Sequence, residues 1–122
     1  MREEIEKKIK ENIPYKLREF PKLESGEPYQ FYKWDYDNSN RLCMYYYVTG
    51  GKGRYQKRVP INELTEAVHR FLQTGVFTRE DFRELCPTTR KDGECGFAVI
   101  GRILEFLFGA EYQGRGGGFR KS

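Results

Sequence analysis

Histidine is nearly missing from this chain of 122 residues, and cysteine is sparse: one His, His69, and three Cys, at 43, 86 and 95. No CxxC occurs. Together these exclude a Cys/His zinc site of ordinary spacing and a histidine-based triad. The odd, scattered thiols are read as reduced and cytoplasmic, with a Cys86–Cys95 disulfide as the less favoured alternative. Long apolar runs are absent too, so no membrane-spanning segment is expected, and the charged stretch Met1–Asn12 is no signal peptide. Nor does the chain carry a Walker loop, G-x-S-x-G or HExxH. The "GKG" at Gly51–Lys52–Gly53 is too short for a phosphate loop and reads as a hairpin turn. Asp35 and Asp37 stand near a strand end without the following E-x-K of a metal-dependent nuclease. Cys95 opens a helix but has no base near it in sequence. The expectation is a protein that is not an enzyme, with no cofactor and no metal.

Aromatics, by contrast, are abundant: nine Phe, nine Tyr and one Trp, 16% of residues. Such a chain buries a substantial core. Net charge is +4, unevenly spread. Residues 1–28 are balanced. Residues 29–60 hold six basic and two acidic groups, and residues 61–111 six and nine. Residues 112–122 hold three basic groups and no acidic one. Two basic blocks therefore flank an acidic middle, a distribution that suggests an anionic partner.

The hydrophobic period changes twice. "REEIEKKIKENIP" places Ile5, Ile9 and Ile13 at spacing four, with Glu3–Lys7, Glu4–Lys8 and Glu6–Lys10 pairs, and Pro14 ends this helix. Residues 15–28 read as a connector broken by Pro21, Gly26 and Pro28. From Tyr29 the period is two, with turn signals at DNSN and TGGKG. Residues 29–60 therefore predict a three-stranded antiparallel meander. Its first register pairs Tyr36 with Arg41, Trp34 with Cys43, Tyr32 with Tyr45 and Gln30 with Tyr47. Its second pairs Val48 with Tyr55, Tyr46 with Lys57 and Met44 with Val59. One face then holds Tyr29, Phe31, Leu42, Met44, Tyr46, Val48, Val59 and Ile61, the core side. The other gathers Tyr32, Trp34, Tyr36, Tyr45 and Tyr47 with Arg41, Gln56 and Arg58. That face is either a platform for stacking bases or a surface buried against the first helix or a second copy. A one-residue slip would mix the two sets.

After Asn62 the period is helical. "INELTEAVHRFLQTG" carries Ile61, Leu64, Val68, Phe71 and Leu72 on one face, with Asn62 as N-cap and Gly75 as the C-terminal stop. "VFTREDFRELCP" predicts a short helix with Thr78 as cap, Asp81 at N3 and a Phe77–Phe82 staple. "TTRKDGE" reads as a polar turn, and "CGFAVIGRILEFLFG" as a third helix. In the closing "YQGRGGGFRKS", Tyr112 and Phe119 bracket a glycine-rich turn. A single RGG copy after a core helix favours a hairpin over a disordered RNA-binding tail.

This order of helix, short strand, helix, turn, helix and hairpin resembles a winged helix-turn-helix DNA-binding domain over residues 61–122. The whole chain is then α+β: an N-terminal helix and connector (1–28), a three-stranded sheet (29–60) and a winged unit (61–122) sharing the sheet's core. The resemblance implies a recognition helix in the major groove of double-stranded DNA and a wing touching the minor groove. By role it implies phosphate contacts from Thr88, Thr89, Arg90 and Lys91 before the third helix. It also implies a base or phosphate contact from Arg102, minor-groove entry by Arg115, and backbone contacts from Arg120 and Lys121. The outer face of the third helix offers Gly96, Ala98, Gly101, Arg102 and Glu105, poor in base-reading donors. The alternative is a protein-interaction module or homodimer using the winged unit and the aromatic sheet face.

Overall fold

A computed structural model describes residues 1–50 and 53–122 of the chain. The turn expected over Gly51–Gly53 falls on Gly51 and Lys52, which lie outside the described residues. The chain is mixed α+β, and the elements run α1 (Arg2–Asn12), β1 (Glu19–Phe20), β2 (Tyr29–Tyr36), β3 (Leu42–Gly50), β4 (Gly53–Pro60), α2 (Ile61–Thr74), β5 (Val76–Phe77), α3 (Arg79–Leu85), α4 (Pro87–Lys91), α5 (Cys95–Phe108), β6 (Ala110–Tyr112) and β7 (Phe119–Lys121).

The first sheet is antiparallel with order β1-β2-β3-β4, four strands where three were expected. The extra strand is two residues of the supposed connector. Glu19 and Phe20 pair with Gln30 and Tyr29, and Phe20 is fully buried. Two residues ending at Pro21 carry too little alternation to be legible as a strand. Helix α1 buries Ile5 and Ile9 and packs on α2, joined by an ion pair between Arg2 and Glu66.

The second register holds as written, with Met44 opposite Val59 and Val48 opposite Tyr55. The first does not. Tyr36 faces Leu42, Asp35 faces Cys43, Trp34 faces Met44 and Lys33 faces Tyr45. The ladder then breaks at Tyr32 and resumes with Phe31–Tyr46 and Gln30–Tyr47. The cause lies in the turn. The Asp37 carboxylate accepts from the Ser39 and Arg41 amides at 2.9 and 3.0 Å, and the Asp37 amide donates to the Arg41 carbonyl at 3.0 Å. Arg41 is thereby held inside the loop, and the hairpin is one residue longer. The bulge at Tyr32 absorbs the mismatch, so residues 33–36 exchange faces. Trp34 consequently points inward, and its Nε1 donates to the Ile13 carbonyl at 2.9 Å.

The core is continuous across sheet and helices, from Ile5, Met44 and Tyr46 through Leu64, Val68 and Phe71 to Phe97, Ile100, Leu104 and Phe119. Helix α3 opens on the expected capping box: the Thr78 hydroxyl accepts from the Asp81 amide at 3.2 Å, and the Thr78 amide donates to the Asp81 carboxylate at 2.9 Å. Phe77 and Phe82 both meet Phe97, with ring centroids 5.5 and 5.8 Å apart. Helix α2 begins at Ile61 after Pro60, so Asn62 lies inside the helix rather than capping it. The supposed polar turn TTRKDGE overlaps α4, which starts one residue earlier because Pro87 at the first helical position has the φ a helix needs.

At the C-terminus β6 and β7 form a hairpin in which Tyr112 faces Phe119, rings 5.1 Å apart, and β5 pairs with β7. The second sheet thus has order β5-β7-β6. Gly101 lets this hairpin close on α5: a Cβ there would lie 1.9 Å from the Phe119 ring.

Candidate nucleic-acid interface

The expected contact region around α4 and α5 is largely occupied by the protein itself. Glu63, buried in the first turn of α2, accepts from the Thr88 amide at 3.0 Å, the Thr89 amide at 2.9 Å and the Thr89 hydroxyl at 2.9 Å. The donors assigned to phosphate therefore already hold a carboxylate, and Thr89 is completely buried. Arg41 belongs to the same cluster. It donates to Asp37 at 3.0 Å and to the Thr88 hydroxyl at 3.1 Å, and lies 3.8 Å from Glu63. It therefore leaves the aromatic face to which it was assigned.

Helix α5 is enclosed along most of its length. Gly96 and Gly101 are small because Thr89 and Phe119 press on them, not to admit a duplex: a Cβ on Gly96 would lie 2.4 Å from the Thr89 methyl. Arg102 is committed as well. Its guanidinium donates to the Pro21 carbonyl at 2.9 Å, the Lys22 carbonyl at 3.0 Å and Glu105 at 2.6 Å. It clasps the 21–22 connector to the helix. Arg90 pairs with Glu94 at 3.4 Å, while Lys91 is exposed. Arg115, Arg120 and Lys121 are exposed on the hairpin. Arg115 lines a groove of about 860 Å3 with Lys22, Arg79 and Arg83, but Glu24, Glu80 and Glu94 line it too.

The outer face of the first sheet is different. The helices pack on its other side, where Met44, Tyr46 and Val59 are fully buried. Two cross-strand rows look outward, Gln30–Tyr47–Gln56 and Lys33–Tyr45–Arg58. The bulge sets Tyr32 against Tyr47, ring centroids 4.5 Å apart, and Tyr32 remains 41% exposed. Lys33 Nζ lies 5.2 Å from the Tyr32 ring centroid and 5.6 Å from that of Tyr45. Arg54 stacks over Tyr47 at 4.7 Å. These are cation–π distances. Lys33 also pairs with Asp35 at 3.1 Å, which raises the Lys33 pKa and lowers that of Asp35 through their mutual hydrogen bond. Burial raises the Tyr45 phenol, with the Cys43 thiol adding to it; at Tyr47 loss of hydration leads, followed by the hydrogen bond with Tyr32. Both rings stay neutral over the physiological range.

Of the residues assigned to this face, Tyr32, Tyr45, Tyr47, Gln56 and Arg58 are together on it. Trp34 is on the core side, and Tyr36 lies at the sheet's end in the row of Leu42. Sequence reasoning missed Lys33 and Arg54. Lys33 reaches the outer face only because of the bulge, whereas Arg54 follows from the second register, which puts it opposite Thr49. The three cysteines are free thiols, and among the described residues no cluster of potential metal ligands occurs. Compared with family models, curated proteins and solved structures, the chain finds no match.

Proposed function

We propose that this protein binds single-stranded nucleic acid without catalysis, on the outer face of its first sheet. One observation carries the reading: Tyr32, Tyr45 and Tyr47 lie together, partly exposed, on the face opposite the helical layer, interleaved with Lys33, Arg54 and Arg58. Neutral rings stack on bases of any identity, and the cations meet the phosphates between them. The same cations disfavour self-association, since a face-to-face dimer would bring Lys33, Arg54 and Arg58 of two copies together.

The strand order β5-β7-β6 of the C-terminal unit is compatible with the winged-helix resemblance, with α4 as an additional short helix between α3 and α5. In this proposal that unit serves as scaffold. Major-groove reading by α5 gains no support from an Arg102 spent on the connector or from Thr88 and Thr89 bound to Glu63. The exposed Arg115, Arg120 and Lys121 supply a secondary basic edge.

Fluorescence anisotropy with a labelled eight-residue oligothymidylate tests the proposal. Three phosphate contacts give a log–log salt slope of about −2, so affinity falls roughly 20-fold between 50 and 200 mM salt. Tyr47→Ala and Tyr32→Ala each weaken binding by about 1–3 kcal/mol. A duplex of the same length binds more weakly. Absence of binding at low salt, or binding indifferent to Tyr47→Ala, overturns the reading.

A further inference from the structure

At the end of the stacking strip the sheet opens into a polar pocket of about 340 Å3, lined by Tyr36, Asp37, Asn38, Tyr45, Gln56, Lys57, Arg58 and Asp92. Its chemistry is uneven. Asp37 is saturated by the Ser39 and Arg41 amides, the Arg41 guanidinium and the Cys43 thiol. Asp92 is half used: one oxygen accepts from the Arg58 amide at 3.1 Å, and the other has no partner among the described residues. Arg58 is half-buried beside Tyr45. Among the described residues no carboxylate pairs with its guanidinium, and its buried Nε has no hydrogen-bond partner. A partly desolvated guanidinium without an acceptor is costly to maintain, so it marks a place where a ligand supplies one.

We propose that this pocket receives a guanine at one position of the bound single strand. The inference rests on the sheet-face reading above and adds base identity to it. Guanine alone sets two acceptors, O6 and N7, next to two donors, N1–H and the N2 amine. The Arg58 fork matches the acceptors, and the open Asp92 oxygen matches the donors. Tyr45 continues the stacking strip up to the pocket, and Tyr36 forms its other aromatic wall. Adenine presents its N6 amine where the fork needs an acceptor. A bare phosphate meets the same fork with Lys57 nearby, but it offers no donor to the open Asp92 oxygen, which guanine does.

The test compares labelled oligothymidylate of eight residues with the same oligomer carrying one guanine, moved through each position. The readout is the ratio of the two affinities on the same protein. At one position guanine raises affinity about tenfold, and adenine does not. Replacing that guanine by 7-deazaguanine or inosine, on the unaltered protein, removes most of the gain. Arg58→Met brings the ratio to about one. If the oligothymidylate binds and guanine at every position leaves the ratio at one, the pocket proposal is overturned while the sheet-face reading stands. If the gain survives both 7-deazaguanine and inosine, the pocket proposal is equally overturned. If the oligothymidylate does not bind at all, the sheet-face reading fails, and this inference with it.

Discussion

Glu63 is the residue whose role is least visible along the chain and most consequential in space. Its carboxylate caps the N-terminus of α4, 25 residues away in sequence at Thr88, satisfying two backbone amides and one hydroxyl in a buried setting. Helix N-termini attract anions, and here the anion is built in. Glu63→Ala leaves those three donors without an acceptor, so we expect a loss of roughly 3 kcal/mol or more in urea denaturation. A loss below about 1 kcal/mol would mean that water replaces the carboxylate, and that the site is open to an external anion after all.

Among the elements, strand β2 decides the character of the molecule. Its bulge turns Trp34 into the core and Lys33 out to solvent. The two faces can therefore be told apart by opposite responses. Trp34→Phe removes the bond to the Ile13 carbonyl and costs about 1 kcal/mol of stability, with oligonucleotide affinity unchanged. Tyr47→Ala lowers affinity with little effect on stability. Urea titration and anisotropy on the same two variants check this. A Trp34→Phe variant with normal stability and weakened binding would put the indole on the outer face instead. The α5–hairpin contact is similarly one-sided: Phe119 rests on Gly101, so the hairpin is anchored at its base by packing while Arg115 at its turn is exposed.

Across the whole molecule, the buried thiols and phenol shape the alkaline limb of the pH dependence of stability. Burial, assisted by the neighbouring Asp37 carboxylate, pushes the Cys43 thiol from its ordinary 9.0 up to about 12. Burial moves Cys86 and the Tyr46 phenol in the same direction. A raised acid stays protonated in the folded chain while the unfolded chain already ionises, so the folded state binds more protons above pH 9. Stability is then fully present below about pH 9 and falls as pH rises toward 12. The urea midpoint at pH 10.5 should lie below that at pH 8; an equal or higher midpoint contradicts the burial of these groups.

What the linear chain determined by itself is local and periodic. The isoleucine spacing of α1, the stripe of α2, the Thr78–Asp81 cap and the Tyr112–Phe119 bracket each depend on residues within one or two turns or one hairpin. The β3–β4 register followed from alternation together with the position of the TGGKG turn, and with it the outward rows holding Tyr45, Tyr47 and Arg58. Tertiary structure decided the rest. Parity along a strand is legible only until a bulge, and the bulge at Tyr32 was dictated by how Asp37 folds its own turn. Whether Thr88, Thr89 and Arg102 faced a ligand depended on acceptors far away in sequence: Glu63, and the carbonyls of residues 21 and 22. A hydrogen-bond donor carries no mark of which acceptor will reach it first, and only the folded chain brings those candidates into competition.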